Sequence, residues 1–98
     1  MAQYMVDIRL PKEITPEFAA LIPRQRRAVN RLFEKGRIIS YTLSLERARL
    51  WVVCIATSEE DVLEILAKFP LLKFMRFDIH EIMFHQSMSS LMPVISLN

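Results

Sequence analysis

Glycine is nearly absent from this chain: Gly36 is the sole glycine in 98 residues. Phosphate-cradling loops and dinucleotide fingerprints need several glycines, because backbone must approach the anion closely. That scarcity argues against a nucleotide cofactor. Cysteine is equally rare. Cys54 stands alone, which rules out an internal disulfide and leaves no cysteine cluster for a metal. No His-x-His or Glu-x-x-His ligand set occurs either, so neither metal nor cofactor is expected. Long apolar runs are missing too: no segment approaches the roughly 20 residues of a membrane helix. The opening MAQYMVDIRLPKE meets charge at Asp7 and has no apolar signal core; a cytoplasmic location without membrane association is expected. Charge of one sign is also in short supply. A net charge of +2 is too small to imply nucleic acid. Arg24, Arg26, Arg27, Arg31, Lys35 and Arg37 read as a solvated helix face, from which one or two arginines could attract a carboxylate ligand.

What the chain does have is apolar surface, 52% of its residues. Its length supports one domain with a single core, and part of that surface is expected in a subunit interface. Tyr4–Leu10 alternates as a half-buried strand ended by Pro11. Thr15-Pro16 has the form of a helix cap followed by proline at the first helical position. Phe18, Leu21, Ile22, Val29, Leu32 and Phe33 keep helical spacing as far as Gly36, with Pro23 expected to kink or split the helix. Arg37–Leu45 and Ala48–Ala56 read as two strands joined tightly at Glu46-Arg47. The second of these is apolar on both faces and therefore central in its sheet. Ser58 caps a helix over 59–69, with Asp61 three residues on in a near-match to the capping box. A strand near Arg76–His85 completes the order.

That order, β-α-β-β-α-β, specifies an α+β ferredoxin-like domain over residues 1–87: a four-stranded antiparallel sheet with both helices on one face. The other face is left open. By alternation it carries Asp7, Arg9, Ser40 and Thr42, with either Trp51/Val53 or Val52/Cys54. Two such faces could pack together as a dimeric α/β barrel enclosing a cavity. The tail over 88–98, apolar but without a period, is expected to pack on a neighbouring subunit.

Leu10-Pro11 closing the first strand, Arg31-Leu32 and Gly36 closing the first helix, and Lys68-Phe69-Pro70-Leu71 followed by Phe74-Met75 together resemble the muconolactone isomerase family. The resemblance spans roughly residues 4–87. It implies a cofactor-free isomerase of aromatic catabolism that moves a proton on a small unsaturated lactone or carboxylated ring compound. It also implies a homodimer, built further into higher oligomers in some members, with a small-molecule ligand in the inter-sheet cavity. The polar positions depart from that family. Arg24-Gln25-Arg26-Arg27 stands where the isomerases carry acidic residues and lysine, and Ile38-Ile39-Ser40-Tyr41 replaces a Trp-Arg-His arrangement.

Proton transfer of this kind needs a base beside an acidic C–H and a cation or donor near the enolate oxygen. Asp7, Arg9 and His85 are the candidate catalytic residues, Asp7 or His85 as proton carrier and Arg9 or Arg27 as anion clamp. Arg27, Ser40, Tyr41, Trp51 and His80 are the candidates for binding substrate. Each has a plainer reading. Asp7 and Arg9 can form a cross-strand ion pair, the histidines can be exposed strand residues, and Tyr41 and Trp51 can pack. Two further functions therefore stay open: a non-catalytic ligand-binding or assembly protein on the same scaffold, and a cofactor-independent oxygenase.

Overall fold

The computed structural model describes residues 1–86, so the tail expected at 88–98 lies outside the described residues. The elements run β1 (Ala2–Arg9), α1 (Pro16–Glu34), β2 (Ile38–Leu43), β3 (Arg49–Ala56), α2 (Glu59–Leu66), a short 3-10 turn at Leu72–Phe74, and β4 (Arg76–Glu81). The strands form one antiparallel sheet in the order β2-β3-β1-β4. This is the ferredoxin-like α+β arrangement, with β3 central as its apolar sequence requires and the alternating β1 beside it.

Local chemistry sets the helix ends. Thr15 Oγ1 accepts from the Phe18 backbone N–H at 3.2 Å, and Pro16 opens α1 where a missing N–H costs nothing. At the other end Gly36 has φ of 71°. The Gly36 and Arg37 N–H groups return to the Phe33 and Leu32 carbonyls at 3.0 and 2.9 Å, a left-handed closure that favours glycine. Ser58 Oγ caps α2 by accepting from the Asp61 N–H at 3.2 Å. Asp61 reaches back, but to the N–H of Thr57 at 2.9 Å, one residue earlier than the Glu of a capping box would.

Three boundaries differ from the sequence reading. Pro23 neither splits nor ends α1, which runs unbroken through it. Pro23 and Ala19 are both exposed, so water can take the carbonyl that proline leaves unpaired, while buried Phe18, Val29 and Leu32 anchor the helix on either side. Helix α2 stops at Leu66 because Phe69 precedes Pro70, which disfavours helical backbone at that residue. There the Lys68 and Phe69 N–H groups bond three residues back instead of four. Strand β4 ends at Glu81, leaving His85 beyond it.

The core lies between the helices and one face of the sheet: Tyr4, Val6 and Ile8 of β1, Leu50, Val52, Cys54 and Ala56 of β3, and Val62, Ile65 and Leu66 of α2. Alternation then sends Asp7, Arg9, Trp51 and Val53 to the open face, which decides between the two β3 sets left open by the sequence. Strand β2 pairs Ile38 with Cys54 but Ser40 with Val53, a register shift that leaves Ile39 without a partner position. The extra residue puts both Ile38 and Tyr41 on the helix side, although they differ in parity.

Candidate functional site

A cavity of about 320 Å³ opens on the helix side of the sheet. One wall is α1, through Phe18, Ile22, Gln25 and Arg26; the opposite wall is the sheet, through Leu10, Tyr41, Leu43 and Leu50. Leu71 and Met75 close one end, and Ile14 and Arg47 come from the loops. Phe18 is itself braced edge-on by Phe74, with ring centres 5.3 Å apart, and Tyr41 stands edge-on to Phe69 at 6.2 Å. The lining is therefore mostly apolar with a few convergent polar groups, the usual make-up of a small-ligand site.

The polar groups are arranged in a definite direction. Gln25 is only 3% exposed, and its Oε1 accepts from the Leu71 backbone N–H at 3.1 Å. That bond fixes the amide, so Nε2 faces Tyr41 and donates to its Oη at 3.2 Å. Tyr41 thus acts as an acceptor toward the protein, and its own proton remains to be donated. Burial raises the Tyr41 pKa, against a smaller lowering by the Gln25 hydrogen bond; the phenol stays a donor at neutral pH. Arg26 and Arg47 add two cations to the lining.

Arg47 occupies a costly conformation. Its φ is 61°, the left-handed region that disfavours a side chain by about 1–2 kcal/mol. The turn that holds it is tied twice. The Arg47 N–H bonds the Ser44 carbonyl at 2.9 Å, and Ser44 Oγ accepts from the Ala48 and Arg49 N–H groups at 3.2 and 3.0 Å. An arginine kept where glycine fits better, in a turn that lines the cavity, is the kind of local strain that marks functional positions.

The open face carries a different chemistry. Its residues form rows across β3, β1 and β4: Arg49, Arg9 and Arg76 in one; Trp51, Asp7 and Asp78 in the next; then Val53, Met5 and His80. Nη1 of Arg49 donates to both Asp7 oxygens at 2.9 Å, and Nη2 of Arg9 donates to Asp78 at 3.0 Å. Arg76 has no ion pair among the described residues. Trp51 is 36% exposed in this layer, whereas Val53 beside it is only 3% exposed.

The sequence candidates are therefore divided between two faces. Asp7, Arg9, Ser40, Trp51 and His80 share the open face; Tyr41 lies across the sheet in the cavity. Arg27 sits on the exposed side of α1 and His85 past the end of β4, and neither lines the cavity. Gln25 and Arg47 are the polar lining residues that were not singled out from the sequence; Arg26 belongs to the basic run read as a solvated face from which one or two arginines could attract a carboxylate. Cys54 is fully buried, its thiol donates toward the Tyr4 carbonyl at 3.8 Å, and burial pushes its pKa up to about 11; it is inert at neutral pH. Among the described residues no group of three or more His, Cys, Asp or Glu could hold a metal, and no helix is long and apolar enough to cross a membrane.

No model of a known protein family matches this chain, and no curated protein matches it. Among solved structures it is similar to a crystal structure of muconolactone isomerase, with a TM-score of 0.67 over 87% of this chain and 92% of that one. The two sequences are 19% identical, so the likeness establishes a shared fold.

Proposed function

We propose that the protein binds a small anionic ligand with an apolar body in the helix-side cavity, on a scaffold of the muconolactone isomerase type. The observation that carries this reading is the Gln25–Tyr41 pair. A buried amide occupies the acceptor side of the phenol and leaves its proton for a ligand, in a lining that also holds Arg26 and Arg47. The apolar walls take a ring or short chain, and the arginines take its carboxylate. Among the described residues the lining contains no carboxylate, imidazole or amine that could serve as a base, which favours binding over proton transfer at this site.

Calorimetric titration with hydrocinnamate and with its uncharged amide tests the proposal. The acid should bind and the amide should bind at least tenfold more weakly, since a charge-assisted hydrogen bond contributes about 1.5–3 kcal/mol. Arg26→Gln should remove most of that preference. Equal binding of acid and amide, or binding of neither, overturns the reading.

Lactone isomerisation is the second reading, favoured by the fold shared with muconolactone isomerase. It places the chemistry on the open face, where Asp7, Arg9 and His80 stand in adjacent rows. Here a second copy covers that face, burying Trp51 and Met5 and closing an inter-sheet cavity. Both Asp7 oxygens are engaged by Arg49 in this arrangement, which leaves His80 as the proton carrier of this reading. Following the double-bond shift of a muconolactone by absorbance tests it, and no turnover at high protein concentration would sink it.

A further inference from the structure

A second cavity of about 340 Å³ adjoins the first and shares two lining residues with it, Arg26 and Tyr41. Its remaining walls are Val29, Asn30 and Phe33. These α1 residues continue the line begun by Phe18, Ile22 and Gln25: the spacing is that of one helix face followed turn after turn. From Phe18 to Phe33 the line covers 15 residues, about 22 Å at 1.5 Å per residue. The two cavities therefore form successive compartments of one groove along α1 and the β2 edge. Arg26 and Tyr41 stand midway along it, lining both compartments.

Phe33 fits this arrangement and no other evident role. It keeps the apolar spacing of a core residue, yet it is 40% exposed and forms a wall of the outer compartment. Along the α1 wall the groove then runs apolar, cationic, apolar: Phe18 and Ile22 at one end, Arg26 facing the same groove as Tyr41 in the middle, Val29 and Phe33 at the other, with Arg47 a second cation of the inner compartment.

From this we infer that the groove is built for a two-armed ligand: a carboxylate or similar anion at its centre, flanked by two apolar groups, one in each compartment. The inference rests on the binding reading above and adds the class of ligand. Arg26 and Tyr41 take the central anion, the inner compartment takes one ring or chain, and the outer compartment lays the second arm against Phe33.

Two acids with the same carboxylate separate these ideas: hydrocinnamate, with one benzyl arm, and dibenzylacetate, with two. Dibenzylacetate should bind at least about tenfold more tightly, the worth of burying one further phenyl-sized group. Phe33→Ser should erase that advantage and leave hydrocinnamate affinity unchanged. Asn30→Trp, at an exposed helix position, should do the same by filling the outer compartment, and circular dichroism checks that both variants fold. If dibenzylacetate binds no tighter than hydrocinnamate, or if its advantage survives both variants, the two-armed groove is wrong while the one-compartment reading stands. If neither acid binds, the binding reading itself falls and takes the groove with it.

Discussion

Replacing Gln25 by leucine would test the centre of the site through stability alone, with no ligand required. Gln25 is the one buried polar side chain among the described residues, and it joins α1 to β2 through Tyr41 and to the segment after α2 through Leu71. Gln25→Leu leaves the buried Leu71 N–H without an acceptor, at a cost of about 1–3 kcal/mol. The Tyr41 hydroxyl borders the cavity, where water can replace the lost amide, so its share is small. Against this, the extra apolar burial of leucine returns about 1 kcal/mol. The net expectation is a loss of about 0–2 kcal/mol, each kcal/mol lowering Tm by about 4–8 °C in a domain of this size. Tyr41→Phe has its own signature. In the native background it strands the Gln25 Nε2 donor, and in the Gln25→Leu background it strands nothing. Urea denaturation of the two single variants and the double variant should therefore show a coupling of about 1 kcal/mol. A Gln25→Leu protein more stable than the parent, or strictly additive effects, would refute the role given to this pair.

Other consequences are directly measurable. Pro23→Ala should stabilise the protein by about 1–3 kcal/mol, because it restores a helix hydrogen bond at an exposed position; a loss of stability in thermal melts would show that proline shapes α1 after all. Asp61 has its pKa lowered, first by the Thr57 N–H and then by the Arg37 guanidinium at 2.8 Å. Its contribution is therefore fully present above the ordinary value of 3.8 and is lost as pH falls through the lowered one. The stability gap between the parent and Asp61→Asn should accordingly be constant near neutrality and shrink on acidification, and a gap that widens toward acid would contradict the sign. Cys54 should resist iodoacetamide at about pH 8 in the folded protein and react only as the chain unfolds; stoichiometric labelling of the native state would show an opening that the packing does not account for.

The fold was legible in the sequence because its boundaries are chemical events. Thr15-Pro16, Gly36, Ser58 and Phe69-Pro70 each start or stop an element for a local reason, and the alternation of β1 is undisturbed. The cavity was harder to see. Gln25 sits among arginines, where a polar residue reads as solvated, and only the tertiary position of Leu71 makes it a core residue. Strict alternation puts Ser40 and Thr42 on the open face and Tyr41 opposite them, but it does not show the unpaired Ile39 that turns Ile38 to the helix side as well. Arg26 and Arg27 differ by one step of helical phase, about 100°, and that step separates the cavity wall from solvent. Phe33 keeps the spacing of a core residue and serves as a groove wall instead.

The unpaired Ile39 also bears on how the chain behaves in a crowded solution. Strand β2 is an edge strand whose exposed flank carries Ile39 and Leu43, followed by a fully exposed Leu45. A flat edge with those side chains would be a template for strand addition and intermolecular sheet growth. The shift at Ile39 breaks the regular spacing of free backbone groups and increases the local twist, so an incoming strand cannot hold register along the whole edge. Removing Ile39 would keep Tyr41 facing the helices but straighten that edge. The resulting protein would fold in the same way and precipitate more readily.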